Sequence, residues 1–172
     1  MHETPEEFRT LQALLDRSMA GAGAHLRSII TDQRRVGAAE LCERLQGMCL
    51  LVLATASSDG RPLAGPVDGI FYRGAFHFGT GGDALRLAHI RRRPHVSATH
   101  LPGEEFAVTV HGRAAPVDLA APEHAGFRSC LLEVYVPRYG PEFEEFLDGG
   151  PVYCRIDAAR MFSFQMTPSE AP

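Results

Sequence analysis

Hydrophobic residues recur at helical spacing in the first part of the chain and at strand spacing from Met48 onward. A first helix is predicted to open at Pro5 and to end at the break formed by residues 21–24. Its apolar positions are Phe8, Leu11, Leu14 and Leu15. A second short helix is predicted over residues 38–45. We therefore expect residues 1–47 to form an N-terminal helical segment.

From Met48 onward, short apolar runs are separated by turn signals. Strands are predicted over residues 50–56, 66–72, 75–79, 95–101 and 106–116, with a final strand pair over 152–156 and 161–165. Asp59-Gly60 and Arg73-Gly74 are the hairpin turns. Helices are expected over residues 84–92 and after Pro122 and Pro141.

About six or seven antiparallel strands with helices between them favour a mainly β, α+β fold. The predicted architecture is a closed or partly closed (split) β-barrel with flanking helices. We assign the barrel to residues 48–166 and a tail to residues 167–172.

Composition excludes several chemistries. All 17 basic residues are arginine, so neither a lysine Schiff base nor a P-loop lysine is available. The net charge of -4 argues against nucleic acid or an anionic membrane as a partner. The longest apolar run, residues 48–54, is too short to span a bilayer, and the acidic N-terminus does not resemble a signal peptide. Four scattered cysteines favour a reduced compartment, and we expect the cytoplasm.

The strongest candidate site lies where a predicted strand ends and a helix begins, at residues 78–86. Gly81 and Gly82 expose backbone N–H groups, and a helix N-terminus favours an anion. Arg86 can add a bidentate phosphate contact, and the Thr80 hydroxyl can donate as well. The alternative interpretation is a plain turn with Asp83 as N-cap and Arg86 in solvent.

The histidines give a weaker signal. His89, His95 and His100 lie close in sequence, but none forms a helical pair with an acidic partner, so a metal or haem ligand is unspecific and no metal site is predicted. No catalytic residue is assigned; His111 and Tyr72 are the nearest candidates for an acid.

Residues 51–100 resemble the pyridoxamine 5'-phosphate oxidase-like flavin-binding split-barrel family. The matching elements are Ala54-Thr55, Asp59-Gly60-Arg61-Pro62, Phe78-Gly79-Thr80, Arg86, and Ile90 with Pro94-His95-Val96-Ser97. The similarity extends more loosely over residues 42–164. It implies a homodimer with FMN in a groove between the subunits.

The resemblance also implies cofactor-binding residues. Arg86 stands where the family has its phosphate-binding lysine or arginine, and Thr80 at the strand end that touches the phosphate or ring. Pro66 and Val67 lie on the strand bordering the isoalloxazine. The other candidates are Arg61, Gly81, Gly82, Ala84 and Leu85.

The chain also departs from the family pattern. True pyridoxamine phosphate oxidases have basic residues where this chain has Gly65 and Ile70, and a Ser-Arg pair where it has Ala84-Leu85. Three of four side-chain phosphate contacts are therefore absent, each worth about 1.5–3 kcal/mol. The Arg-x-His substrate motif is absent too, which argues against vitamin B6 oxidation.

Two functional hypotheses follow from different classes. The first is an FMN-dependent oxidoreductase that transfers hydride to or from a small molecule, with the deazaflavin coenzyme F-420 as the alternative cofactor. The second is a non-catalytic flavin or haem binding or sensor protein. Retention of Thr80 and Arg86 favours the first, and the four departures favour the second.

Overall fold

Six antiparallel strands close into a barrel in the computed structural model, which describes residues 1–167. The strands are β1 (Met48–Ala56), β2 (Pro62–Tyr72), β3 (Ala75–Gly81), β4 (His95–His100), β5 (Phe106–Val117) and β6 (Pro151–Gln165). Their order around the barrel is β1-β2-β3-β6-β5-β4, and β4 returns to pair with β1. The predicted α+β barrel is confirmed.

Within residues 1–167, six α-helices lie outside the barrel. They are α1 (Pro5–Ala20), α2 (Ala24–Ile29), α3 (Ala38–Arg44), α4 (Leu85–Arg92), α5 (Ala125–Tyr139) and α6 (Glu142–Gly149). Helix α1 begins at Pro5 as predicted, because Thr4 and Glu7 form a reciprocal capping box. Helix α2 was not predicted. Residues 168–172, most of the predicted tail, lie outside the described residues.

Both predicted hairpin turns are confirmed. Gly60 and Gly74 adopt φ values of 82° and 76°, which glycine accepts without steric cost. Arg73 has φ 50°, so both central residues of the β2–β3 turn are left-handed, as a tight hairpin requires.

The barrel core and the N-terminal helices share one hydrophobic cluster. Strand β1 alternates, so that Leu51 and Leu53 point inward while Val52 points outward. From the helices, Leu11 and Leu41 pack into the same cluster. A second cluster lies between α5, α6 and the barrel wall around Phe127, Leu131 and Tyr153.

Strands β2 and β3 separate part-way along the barrel. They pair only from Gly69–Phe78 to Tyr72–Ala75. Beyond that point, residues 62–68 of β2 pair with β1, and residues 79–81 of β3 pair with β6. A Cβ at Gly69 would lie 2.5 Å from Leu51 Cδ1, so glycine permits the close packing at this junction. An opening therefore forms between the free ends of β2 and β3.

The predicted final strand pair is wrong, because β6 is one continuous strand. Its register with β5 shifts between His111 and Gly112: His111 faces Arg160, Gly112 faces Ala158, and Ala159 has no partner. A bulge of this kind bends a strand without ending it. The small and polar residues 157–160 therefore mark a bend within β6. The strand continues through this bend and pairs with both β3 and β5.

We predict that Gly112→Ala destabilises the protein by about 1–3 kcal/mol. An added Cβ would overlap the carbonyl oxygen of Asp157 at the bulge, and backbone cannot move aside as a flexible side chain can. Urea unfolding measures the change. Gly149→Ala is the control, since no atom lies within 4 Å of its Cβ position. Equal stability of the two variants would contradict this account of the bulge.

Candidate functional site

A cleft of about 660 Å³ lies beside the opening between β2 and β3. One edge is the strand end formed by Gly79, Thr80 and Gly81, and Asp68 of β2 contributes from the other side. The cleft thus contains the end of β3, where the sequence predicts a binding site.

Aromatic rings from α5 and α6 form the opposite wall of the cleft. Tyr135 and Phe143 have ring centroids 4.9 Å apart, and Tyr139 and Phe143 lie 6.0 Å apart with nearly parallel planes. Phe146 extends this row at 5.6 Å from Phe143. Rings at this spacing stabilise each other and offer flat apolar surface to a ligand.

Tyr153 closes the base of the cleft. Its ring lies over Gly79, where a Cβ would approach to within 3.4 Å of the ring atoms. Burial raises the pKa of Tyr153 to about 12, and the charge of Asp68 adds to the shift. Burial, with Tyr153 and Asp68 nearby, also raises the pKa of Tyr135. Both phenols therefore remain protonated near neutral pH.

The structure brings some of the predicted cofactor-binding residues together. Thr80 and Gly81 line the cleft, and Gly82 is exposed beside them. Arg86 reaches back from α4 to β2, where its Nη1 donates to the Pro66 carbonyl at 3.2 Å. The plain-turn interpretation places Arg86 in open solvent, whereas the structure places its guanidinium against β2. The N-cap of α4 is Ala84, not Asp83.

Gly65 lies beside the guanidinium of Arg86. Arg86 Nη2 lies 3.6 Å from the position that a Cβ on Gly65 would take, which is an ordinary contact distance. Residue 65 and Arg86 are therefore neighbours at the opening.

The other predicted residues lie around the opening without lining the cleft. Val67 points into the barrel core, so only its backbone is available outside. Arg61 lies in the β1–β2 hairpin, 2.7 Å from Asp59. Ala84 accepts a hydrogen bond from the Leu87 N–H, and the Leu85 side chain is exposed.

The two candidate acids lie in separate environments. His111 is exposed on β5, where its Nδ1 lies 2.7 Å from the Ser97 hydroxyl. Tyr72 packs against Phe127 and His77, and burial raises its pKa. Neither residue lines the cleft. No catalytic residue is therefore assigned.

Buried histidine and cysteine side chains have structural surroundings. His89 lies 3.1 Å from the Thr55 hydroxyl, and His77 lies against Phe127. Within residues 1–167 no three His, Cys, Asp or Glu side chains form a metal-binding group. All four cysteines are free and buried, and burial raises the pKa of Cys49, Cys130 and Cys154 to about 11 and that of Cys42 to about 12. Such thiols are poor nucleophiles.

The aromatic wall and Asp68 are not predicted from the sequence, which indicates only a helix after Pro141. The available signal is aromatic spacing, since Tyr135 and Tyr139 share a face of α5 at i, i+4, and Phe143 and Phe146 share a face of α6 at i, i+3. That spacing also occurs in ordinary cores, so it could not by itself distinguish a binding surface.

Solved structures share this architecture. A conserved hypothetical protein from Mycobacterium tuberculosis superposes with a TM-score of 0.68 at 21% identity, over 83% of this chain and 92% of that chain. The haem storage protein from Vibrio cholerae gives 0.60 at 17% identity, over 77% and 95%. An FAD-binding protein from Mesorhizobium loti gives 0.56 at 20%, over 78% and 98%.

The chain has the split-barrel fold. Identities this low establish the fold alone, and no family model and no curated protein match the chain. Proteins with this fold include one that binds FAD and one that stores haem. Within residues 1–167 there is also no helix of the length and apolarity needed to cross a bilayer.

We predict that His77 makes stability depend on pH. Burial lowers its pKa from 6.5 to about 3, partly offset by the Ala75 carbonyl, so the folded protein holds a neutral imidazole. Below pH 6.5 the unfolded chain gains a proton that the folded chain does not. The contribution of His77 to the free energy of unfolding should therefore fall by about 1.4 kcal/mol for each pH unit below 6.5, until the pH approaches 3.

Urea unfolding between pH 7 and pH 4 measures this effect as a difference between variants. His77→Phe should show a shallower loss of stability than wild type. His25→Phe, at an exposed position of α2, should keep the wild-type slope. Equal slopes for all three proteins would show that His77 is protonated in the folded state.

Proposed function

We propose that this protein is a flavin-dependent oxidoreductase that binds FMN at the opening between β2 and β3 and transfers hydride to or from a small substrate. The observation that carries the proposal is the position of Arg86. Its guanidinium is fixed on the Pro66 carbonyl, at the end of the barrel where Thr80 and Gly81 edge the cleft. One cation, one hydroxyl and exposed backbone thus lie around one opening.

The phosphate of FMN fits the α4 side of the opening. Arg86 lies in the first turn of α4, where backbone N–H groups and the helix dipole also favour an anion. The cleft itself is unsuited to a dianion, because its ionisable side chains include the carboxylates of Asp68 and Glu142. We therefore place the phosphate beside Arg86 and outside the aromatic cleft.

The backbone of β2 then borders the flavin ring. Pro66 and Asp68 lie on the same outer face of the strand, about 7 Å apart, because alternate residues share a face. Flavin supplies the hydride chemistry when bound, and the chain supplies position and a dry apolar surface. Gly65, Ile70 and Leu85 occupy three of the four positions where the family pattern indicates a cation, which leaves Arg86 as the one side-chain cation among the four.

We also propose a homodimer that covers the outer face of β1. Leu50 and Val52 point outward and are 55% and 52% exposed. Across the sheet, Val52 faces Pro66 on β2 and Thr99 on β4. This apolar surface is therefore continuous with β2, whose Pro66 carbonyl accepts the hydrogen bond from Arg86. A partner subunit packed here would remove apolar area from water and border the cofactor.

A visible spectrum of the purified protein, followed by titration with FMN, coenzyme F-420 and haem, tests the proposal. Binding of FMN supports it, and binding of the deazaflavin alone selects the alternative cofactor. A haem Soret band without flavin binding, or binding of none of the three, would favour a non-catalytic protein and overturn the oxidoreductase proposal.

We predict that Arg86→Ala weakens FMN binding by about 1.5–3 kcal/mol, or roughly 10- to 150-fold in Kd, through loss of a charged hydrogen bond to phosphate. Riboflavin lacks the phosphate, so its affinity should be unchanged. Flavin fluorescence titration measures both. Arg92→Ala, exposed at the other end of α4, should bind FMN as wild type does. An unchanged FMN affinity in Arg86→Ala would remove Arg86 from the site.

We predict that Val52→Arg separates the dimer into single chains, because it introduces a charge into the apolar outer face of β1. Light scattering on a size-exclusion column measures the mass. Ile29→Arg changes another exposed apolar residue, on α2, and should leave the mass unchanged. A wild-type protein with the mass of one chain would overturn the proposed dimer.

A further inference from the structure

The cleft has a charge and a shape that flavin phosphate does not use. Asp68 and Glu142 are the carboxylates among its lining residues, and that lining includes no arginine or histidine. Neither carboxylate forms an ion pair or a side-chain hydrogen bond within residues 1–167. Two carboxylates without a direct ion-pair partner therefore line an apolar cleft.

Two buried phenols add unused polar atoms. Tyr135 and Tyr153 are only 3% and 5% exposed, yet neither hydroxyl has a hydrogen-bond partner among the described residues. Neither hydroxyl is among the fully buried oxygens that lack a partner in that part of the chain, so each keeps some accessible surface, and both residues line the cleft. A ligand in the cleft can therefore reach these hydroxyl oxygens, whose lone pairs attract a positive charge.

The outer rings of the wall are exposed. Tyr139 and Phe146 are 52% and 56% exposed, although both rings belong to the stacked row. The faces of aromatic rings carry negative electrostatic potential and attract cations. Arg138 already lies over the Tyr139 ring, with Cζ 5.5 Å from its centroid, but Arg138 does not line the cleft.

We propose that the cleft binds an organic cation, a protonated amine or quaternary ammonium attached to an apolar body. The charged nitrogen lies near Asp68 and the hydroxyls of Tyr135 and Tyr153, and the apolar body packs on Phe143 and Phe146. The inference rests on the proposed function in one respect only, because it makes this cation the substrate class beside the flavin. Binding of the cation itself requires no flavin.

Tyrosine fluorescence gives a direct test. The chain has no tryptophan, and three of its four tyrosines line the cleft. Hexyltrimethylammonium, 1-hexanol and hexanoate share an apolar chain, differ in charge and do not absorb where tyrosine does. We expect the cation to bind and change the fluorescence at concentrations at which hexanoate has no effect. Tighter binding of hexanoate, or equal binding of all three probes, would overturn the proposal.

Charge-neutral variants identify the contact. Asp68→Asn should weaken hexyltrimethylammonium binding by about tenfold and leave 1-hexanol binding unchanged, because only the coulombic attraction to the cation is lost. Glu142→Gln should also weaken hexyltrimethylammonium binding. Glu145→Gln removes the same charge from an exposed position of α6 outside the cleft and should bind as wild type does. Equal effects of the three variants would indicate a general charge effect and contradict a site at Asp68.

Titration in the presence and absence of FMN separates the two proposals. If both bind together, both proposals stand. If the cation binds but FMN does not, the cleft is an organic-cation site in a protein that is not an FMN enzyme. If FMN binds and the cation does not, the cation site is wrong while the proposed function stands. If FMN displaces the cation, the two share one site, and the separate cation cleft is wrong.

Discussion

The end of the pairing between β2 and β3 controls the rest of this structure. Antiparallel strands in a closed barrel normally stay paired, but here the ladder stops at Gly69 and Phe78. Beyond this point β2 stays paired with β1, and β3 stays paired with β6. Two strand ends are therefore exposed beside one opening. Helix α4 begins at one of these ends, and Arg86 spans back to the other. The cleft exists because the two strands separate.

The opening carries charges of both signs. Arg86 is bound to β2 at the Pro66 carbonyl, and Asp68 lies two residues further along that strand, at the cleft that also contains Glu142. Within residues 1–167 no ion pair joins Arg86 to Asp68, so neither charge neutralises the other by direct contact. This separation favours an anionic group beside α4 and a neutral or cationic group in the cleft. The two proposals therefore make different demands on different side chains.

The sequence predicts the local structure well and the cleft poorly. Asp59-Gly60 and Arg73-Gly74 define their hairpins because turn geometry depends on adjacent residues. The cleft depends on residues from β2, β3, α5–α6 and β6, which meet only after the barrel closes. The continuous β6 was missed for a related reason, since its bulge at Ala159 is defined by pairing with β5 and not by a local turn signal.

A single cation can serve a phosphate site if it is held in place before the ligand arrives. Arginine has five N–H donors in a planar fork, and Arg86 uses one on the Pro66 carbonyl while others remain to face a ligand. Fixing the side chain in advance reduces the entropy lost on binding. The Cβ position of Gly65 lies at an ordinary contact distance from Arg86 Nη2, 3.6 Å away. A chain without lysine can therefore still offer one preorganised anion contact, held by the Pro66 carbonyl.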